Sequence, residues 1–246
     1  MRRALAGLVF VPFAVGCGLV FGISSGEYDP DALGRDGGGS DGTADTNQPQ
    51  TDAPSDNCVP GLIDDLEDGN AAILSCEGRQ GVWTPFNVEA TGGTQTFAFD
   101  APGSPESTKF AAHTSGQGYT KVGMRFTLNQ PSGALRGTYD VSKYKGIKFR
   151  AKTGAAIRVY MNLRDKNRDP DGNVCQSKGT CNDLFGEGCN VTAEWTQCSI
   201  PFSSLEPDTD AGSETVDLAH VYGVDFHVLP DKNPFDLWID DVTFLP

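Results

Sequence analysis

Period-two alternation dominates the second half of this chain and decides what it can fold into. Residues 121–128 place Val122, Met124, Phe126 and Leu128 on one side and Lys121, Gly123, Arg125 and Thr127 on the other. Residues 146–152 oppose Ile147, Phe149 and Ala151 to Lys148, Arg150 and Lys152. Residues 156–164 set Ile157, Val159, Met161 and Leu163 against Arg158, Tyr160, Asn162 and Arg164, and residues 222–228 repeat the pattern with Asp225 and His227 on the polar side. Alternation with one polar face is the signature of antiparallel strands packed on one side, and no long helical period competes with it. Strands punctuated by Gly, Pro, Asn and Asp predict an all-β, two-sheet antiparallel sandwich.

Only residues 58–246 have the composition of such a fold, since they carry every tryptophan and every histidine. Before them come an apolar run behind Arg2 and Arg3, then a polar stretch in which eight acids face Arg35 alone between residues 24 and 57. Such a stretch buries too little apolar surface to offset chain entropy, so residues 17–57 read as a disordered acidic tether. The net charge of −14 argues against a general nucleic-acid binder.

The segment Phe13-Ala14-Val15-Gly16-Cys17 resembles a bacterial lipobox, with Phe13 where leucine is usual. The resemblance implies a signal peptide over residues 1–16 and a lipidated Cys17. An uncleaved membrane anchor is the competing reading, because the apolar run nearly reaches a span of about 20 residues. Both readings export the remainder. Gly18, rather than aspartate, after Cys17 points toward the outer membrane of the cell envelope.

Setting Cys17 aside leaves Cys58, Cys76, Cys175, Cys181, Cys189 and Cys198. In an oxidising compartment an even set reads as three disulfides. Six cysteines admit 15 pairings; the expectation is sequential, Cys58–Cys76, Cys175–Cys181 and Cys189–Cys198, each closing a short polar loop. A zinc site in residues 175–198 is the rival, but the gaps are too wide and no histidine lies between them.

Four segments form a spaced set: Ile63-Asp64-Asp65-Leu66-Glu67-Asp68-Gly69, Gly78-Arg79-Gln80-Gly81-Val82-Trp83, the stretch from Tyr139 to Phe149, and the stretch from Asp236 to Phe244. Together they resemble galactose-binding-like jelly-roll domains near carbohydrate-binding module family 11, which recur in exported lipoproteins of myxobacteria and their relatives. The resemblance covers residues 58–246. It implies that first and last strands are neighbours, that residues 60–69 open as a short strand ending in a turn at Asp68-Gly69, and that a structural calcium is held by Glu67 and Asp240. Asp65, which shares a face with Glu67 at period two, is a further oxygen ligand suited to calcium; the competing reading leaves these acids as solvated edge-strand charges.

Between Lys121 and Arg168 lie twelve bases and only two acids, Asp140 and Asp165. The pleat turns Arg125, Arg150, Arg158, Tyr160, Asn162, Arg164, Asp225 and His227 away from the core. That mixture of rings and planar polar groups suits a glycan, and the arginine fork suits an anionic one. Ordinary solvated face charges are the alternative. Trp83, after a Gly-rich turn, is the expected stacking residue, whereas Trp195 reads as packing.

No His-Glu-x-x-His spacing, Gly-x-Ser-x-Gly elbow or phosphate loop is present. The function that the resemblance implies is non-catalytic glycan binding by an exported, lipid-anchored domain. An exported glycoside hydrolase or polysaccharide lyase, and a structural or adhesion envelope protein, are the alternatives.

Overall fold

The computed structural model describes residues 58–88, 92–106, 109–131, 134–207, 209 and 214–246. The expectations for the signal peptide, Cys17 and the tether lie outside these residues. Among the described residues twelve strands form two antiparallel sheets: β1 (Leu62–Asp64), β2 (Trp83–Val88), β3 (Thr94–Asp100), β4 (Ala111–Gln117), β5 (Lys121–Thr127), β6 (Gly146–Thr153), β7 (Ile157–Asp165), β8 (Phe185–Val191), β9 (Thr196–Pro201), β10 (Glu206–Pro207), β11 (Val221–Val228) and β12 (Phe235–Leu245). The first sheet runs β3-β4-β12-β6-β9, with β1 also paired to β12; the second runs β10-β8-β7-β11-β5-β2. One short helix, α1 (Cys175–Lys178), lies in the loop between β7 and β8.

The alternating stretches read from the sequence become β5, β6, β7 and β11 with ends shifted by a residue or two. Their apolar halves meet in one core. Ile147, Phe149, Ala151, Leu237 and Ile239 come from the first sheet, and Val122, Met124, Phe126, Val159, Met161, Leu163, Val224 and Phe226 from the second. The chain changes sheets between β6 and β7: β6 pairs with β12 and β9, whereas β7 pairs with β11 and β8.

As the resemblance implied, first and last strands meet, with Leu62 opposite Thr243 and Asp64 opposite Val242. Strand β1 is shorter than expected, ending at Asp64 before a turn that puts Leu66 at φ 58° and Gly69 at φ 66°. Between Asp240 and Thr243 the register of β12 against β6 shifts, and Asp241 takes φ 50°. A bulge resets the side-chain parity, so that Leu237 and Ile239 before it and Val242 and Phe244 after it all reach the core.

The three disulfides are the sequential pairs, Cys58–Cys76, Cys175–Cys181 and Cys189–Cys198. The last joins β8 of the second sheet to β9 of the first. With Cys175, Cys181, Cys189 and Cys198 so bonded, the rival zinc reading of this stretch has no free thiolates.

Candidate functional site

Register across the second sheet sorts its outer side chains into two parallel rows. One row runs Gly188, Tyr160, His227, Gly123, Phe86 from β8 to β2; the other runs Gly186, Asn162, Asp225, Arg125, Thr84. At a spacing of about 4.8 Å per strand, each row crosses roughly 19 Å of sheet. The first is aromatic. Tyr160 and His227 stack at 5.2 Å and 15° between planes, and Phe86 meets His227 edge-on at 6.3 Å. The second is polar.

Glycines make room for both rows. A Cβ on Gly186 would stand 2.6 Å from the Asn162 carboxamide, and one on Gly188 would stand 2.1 Å from Arg158 Nε. Both side chains of β7 therefore lie flat over β8. Gly123 stands between Phe86 and His227 in the row, where a Cβ would meet the Phe226 carbonyl at 1.9 Å.

Period two implied a wet face here, but Asn162, Arg164, Asp225 and His227 are 1, 6, 2 and 2% exposed. Burial should oblige their polar atoms to pair, and the outcome is split. Arg164 donates through Nε to Asp169 Oδ2 at 2.7 Å and through Nη1 to Asp225 Oδ2 at 3.0 Å. Arg136 donates through Nη2 to Asp169 Oδ1 at 3.0 Å and lies over the Tyr222 ring, closing one end of the face. By contrast, Arg125 Nε, both polar atoms of the Asn162 carboxamide, Asp225 Oδ1 and His227 Nδ1 are buried without any hydrogen-bond partner. Burial, with Lys121 and Arg125 nearby, holds the His227 imidazole well below the usual histidine range. The guanidinium of Arg125 stacks 4.0 Å above the Phe86 ring, and burial lowers its basicity despite Asp225.

Two of the expected ligand-binding residues sit elsewhere. Trp83 is in the core, 2% exposed, against Phe126 and Phe226, and its indole donates to Asp64 Oδ2 at 2.7 Å. Its position on β2 faces Phe126 of β5, one residue out of phase with Phe86. Arg150 belongs to β6, hence to the first sheet, where its Nε donates to Glu106 at 2.7 Å. Arg158 is on the correct sheet, at the margin of the aromatic row, and pairs with Glu187. Phe86, Arg136, Asp169 and the flanking glycines were not singled out from the sequence; the alternation of Gly186 and Gly188 with larger residues was the available signal.

The acids expected to hold calcium converge only in part. Asp240 is fully buried and accepts from the backbone of Ser104 at 2.6 Å and of Asp241 at 2.8 Å. Burial, reinforced by the charges of Asp241 and Glu67, raises its carboxyl to about 7. Glu67 accepts from the Lys109 backbone at 2.8 Å, while Asp65 accepts from the Glu67 backbone at 3.3 Å. Among the described residues no group of three acids, histidines or cysteines is arranged to hold an ion. The negative charge and the carboxylate oxygens suit a hard cation.

A separate recess of about 700 Å³ beside Tyr144, Phe202, Leu205, Val216 and Leu218 is lined largely by apolar side chains and contains none of the unpaired polar atoms.

Two antiparallel sheets packed around one core define a jelly-roll β-sandwich. Residues 77–246 match the family Carbohydrate binding domain 30, and the chain belongs to that family. Among solved structures, the family 11 carbohydrate-binding module of cellulosomal cellulase Lic26A-Cel5E of Clostridium thermocellum has this fold, with TM-score 0.50 and 19% identity over 75% of this chain and 92% of that one. A family 11 module from the same organism, in complex with a β-1,3-1,4-mixed-linked tetrasaccharide, gives 0.49 and 19% over 72% and 95%. The family 30 module of Clostridium thermocellum cellulase Cel9D-Cel44B gives 0.42 and 18% over 66% and 90%. No curated protein matches this chain.

Proposed function

We propose that the protein binds an uncharged glycan chain in the groove of its second sheet and does not cleave it. The observation that carries this is the set of five buried polar atoms without a hydrogen-bond partner on one face, from Arg125, Asn162, Asp225 and His227. It mixes donors and acceptors beside a row of rings, which is the demand that a sugar, with hydroxyls on its edge and C–H groups on its face, satisfies. The anionic alternative drew on the excess of bases between Lys121 and Arg168. Around the groove, Arg136 and Arg164 share Asp169, Asp171 and Asp225, and Arg158 holds Glu187. Their charge is answered within the fold, which favours a neutral ligand. The same pairings leave Asp169, Asp225 and Glu187 engaged by arginine rather than poised as general acids.

The β-1,3-1,4-mixed-linked tetrasaccharide held by the family 11 module is the first probe. Affinity electrophoresis of the purified protein against neutral and uronate-containing polysaccharides should show retardation by a neutral one without release of reducing ends. Retardation by uronates alone would reverse the charge argument.

Export and anchoring at Cys17 in the outer membrane belong to the same proposal, supported by three disulfides that need an oxidising compartment. Labelling with radioactive palmitate should be lost on Cys17→Ala. A cation at Glu67 and Asp240, calcium by its oxygen chemistry, is supported by the charge crowding that raises Asp240. A rise in melting temperature on adding calcium would bear it out, and an unchanged midpoint would sink it.

A further inference from the structure

Strand β3 carries a polar residue where its period asks for an apolar one. Gln95 lies on the same side of the strand as Phe97 and Phe99, which pack against the core. A polar side chain turned that way costs stability unless its atoms are paired. All of its hydrogen-bonding atoms are engaged. Nε2 donates to Thr114 Oγ1 of the neighbouring β4 at 2.9 Å and, across to the second sheet, to the Gly123 carbonyl at 3.0 Å and, as the longer branch, to the Phe86 carbonyl at 3.4 Å. Oε1 accepts from Asn87 Nδ2 at 2.8 Å. Phe86 and Gly123 face each other across β2 and β5 and are adjacent members of the aromatic row. One side chain of the first sheet therefore grips the end of the row on the second.

Phe86 needs such a hold. It lies on β2, which ends the order of its sheet and among the described residues is paired only with β5. A strand bonded along one edge alone has fewer backbone hydrogen bonds than an inner strand to resist local opening. On the outer side Arg125 stacks 4.0 Å over the Phe86 ring and His227 meets it edge-on. On the core side Gln95 holds the backbone that carries the ring. We propose that Gln95 is a positioning residue for glycan binding, which acts through the Phe86 backbone rather than on the ligand and fixes that end of the aromatic row. This rests on the row being the glycan site. The placement matters because dispersion is short-ranged: a gap of about 0.5–1 Å between ring and sugar forfeits roughly a quarter to a half of the contact.

A double-mutant cycle on the purified full chain tests this. Wild type, Gln95→Met, Phe86→Ala and the pair are titrated calorimetrically with mixed-linked β-glucan, xylan and galactomannan. Gln95→Met keeps the length of the side chain and removes its hydrogen bonds. It should weaken binding of any polymer that the wild type binds about three- to tenfold, with an unchanged circular dichroism spectrum. Phe86→Ala should cost about tenfold. In the Phe86→Ala background the Gln95 substitution should add less than about twofold, because the ring it places is gone. Asn87→Ala, which releases Oε1 from the exposed side, should give a smaller loss of about twofold that likewise vanishes without Phe86, and it supplies the same cycle if Gln95→Met does not fold. Unchanged affinity in these variants, or an equal loss with and without Phe86, makes Gln95 a packing residue and overturns the inference while the glycan site stands. Binding of none of the polymers by the wild-type protein removes the glycan site and this inference with it.

Discussion

The outer faces of the two sheets carry similar residues and put them to opposite use. On the first, His113 stacks on Trp238 at 3.8 Å and 12°, with its ring nitrogens 2.6 Å from Asp100 and 2.7 Å from Asp236. The Trp238 indole donates to the same Asp236 oxygen at 2.8 Å, and the Lys152 ammonium lies 4.3 Å over Trp238 and 5.1 Å from Trp195. This ladder spans β4, β12 and β6 and closes on itself. On the second, Tyr160 and His227 also stack and Arg164 pairs with Asp169 and Asp225, yet five buried polar atoms around them make no hydrogen bond. Each such atom costs about 1–3 kcal/mol. The second face, which keeps buried polar atoms without a hydrogen bond, is therefore the one on which we propose that the glycan binds.

The comparison can be broken in four ways, in descending order of expected effect. Joint replacement Cys189→Ser and Cys198→Ser cuts the tie between β8 and β9 and should lower unfolding free energy by about 2–4 kcal/mol in a guanidinium titration. Glycan affinity should fall with it, because β8 carries the glycines of the groove. Trp238→Ala dismantles the ladder on the first sheet and should cost about 2 kcal/mol of stability with no change in glycan affinity. A loss of binding there would mean that the ligand reaches both faces.

The third is a pH experiment on His227. Its folded-state value lies well below the ordinary one of about 6.5, so as pH falls below about 6.5 the unfolded chain takes up a proton that the folded protein refuses. Stability is therefore full above that pH and declines beneath it, by up to about 1.4 kcal/mol per unit. Denaturation curves of His227→Gln should have a shallower acid limb. The smallest effect is Tyr160→Ala, which should weaken glycan binding about five- to tenfold while leaving the melting temperature within a few degrees. A larger thermal shift than affinity shift would make Tyr160 a packing residue, as the rings of the first face are.

Much of this was legible in the chain. Alternation identified β5, β6, β7 and β11, and it turned Arg125, Tyr160, Asn162, Arg164, Asp225 and His227 away from the core. All six lie on one sheet. Arg150 shows the limit: its alternation is as clean as that of Arg158, but β6 and β7 belong to different sheets. Trp83 shows another, because a Gly-rich turn before an aromatic says nothing about which face receives it. The bulge at Asp240–Thr243 was written in the shift from odd to even apolar positions, yet the burial of Asp240 beneath Ser104 depends on a segment 136 residues away.

The amino-acid sequence by itself determined which residues alternate, and so the all-β class, the two faces of each strand and the pool of cysteines for local pairing, since pleat and short loop closure are properties of neighbouring residues. Only the tertiary structure decided which strands share a sheet, which arginines find carboxylates and which polar atoms are buried without partners. Those depend on hydrogen bonds between strands distant in the chain, and the proposed glycan face forms only where β2, β5, β7, β8 and β11 have been brought side by side.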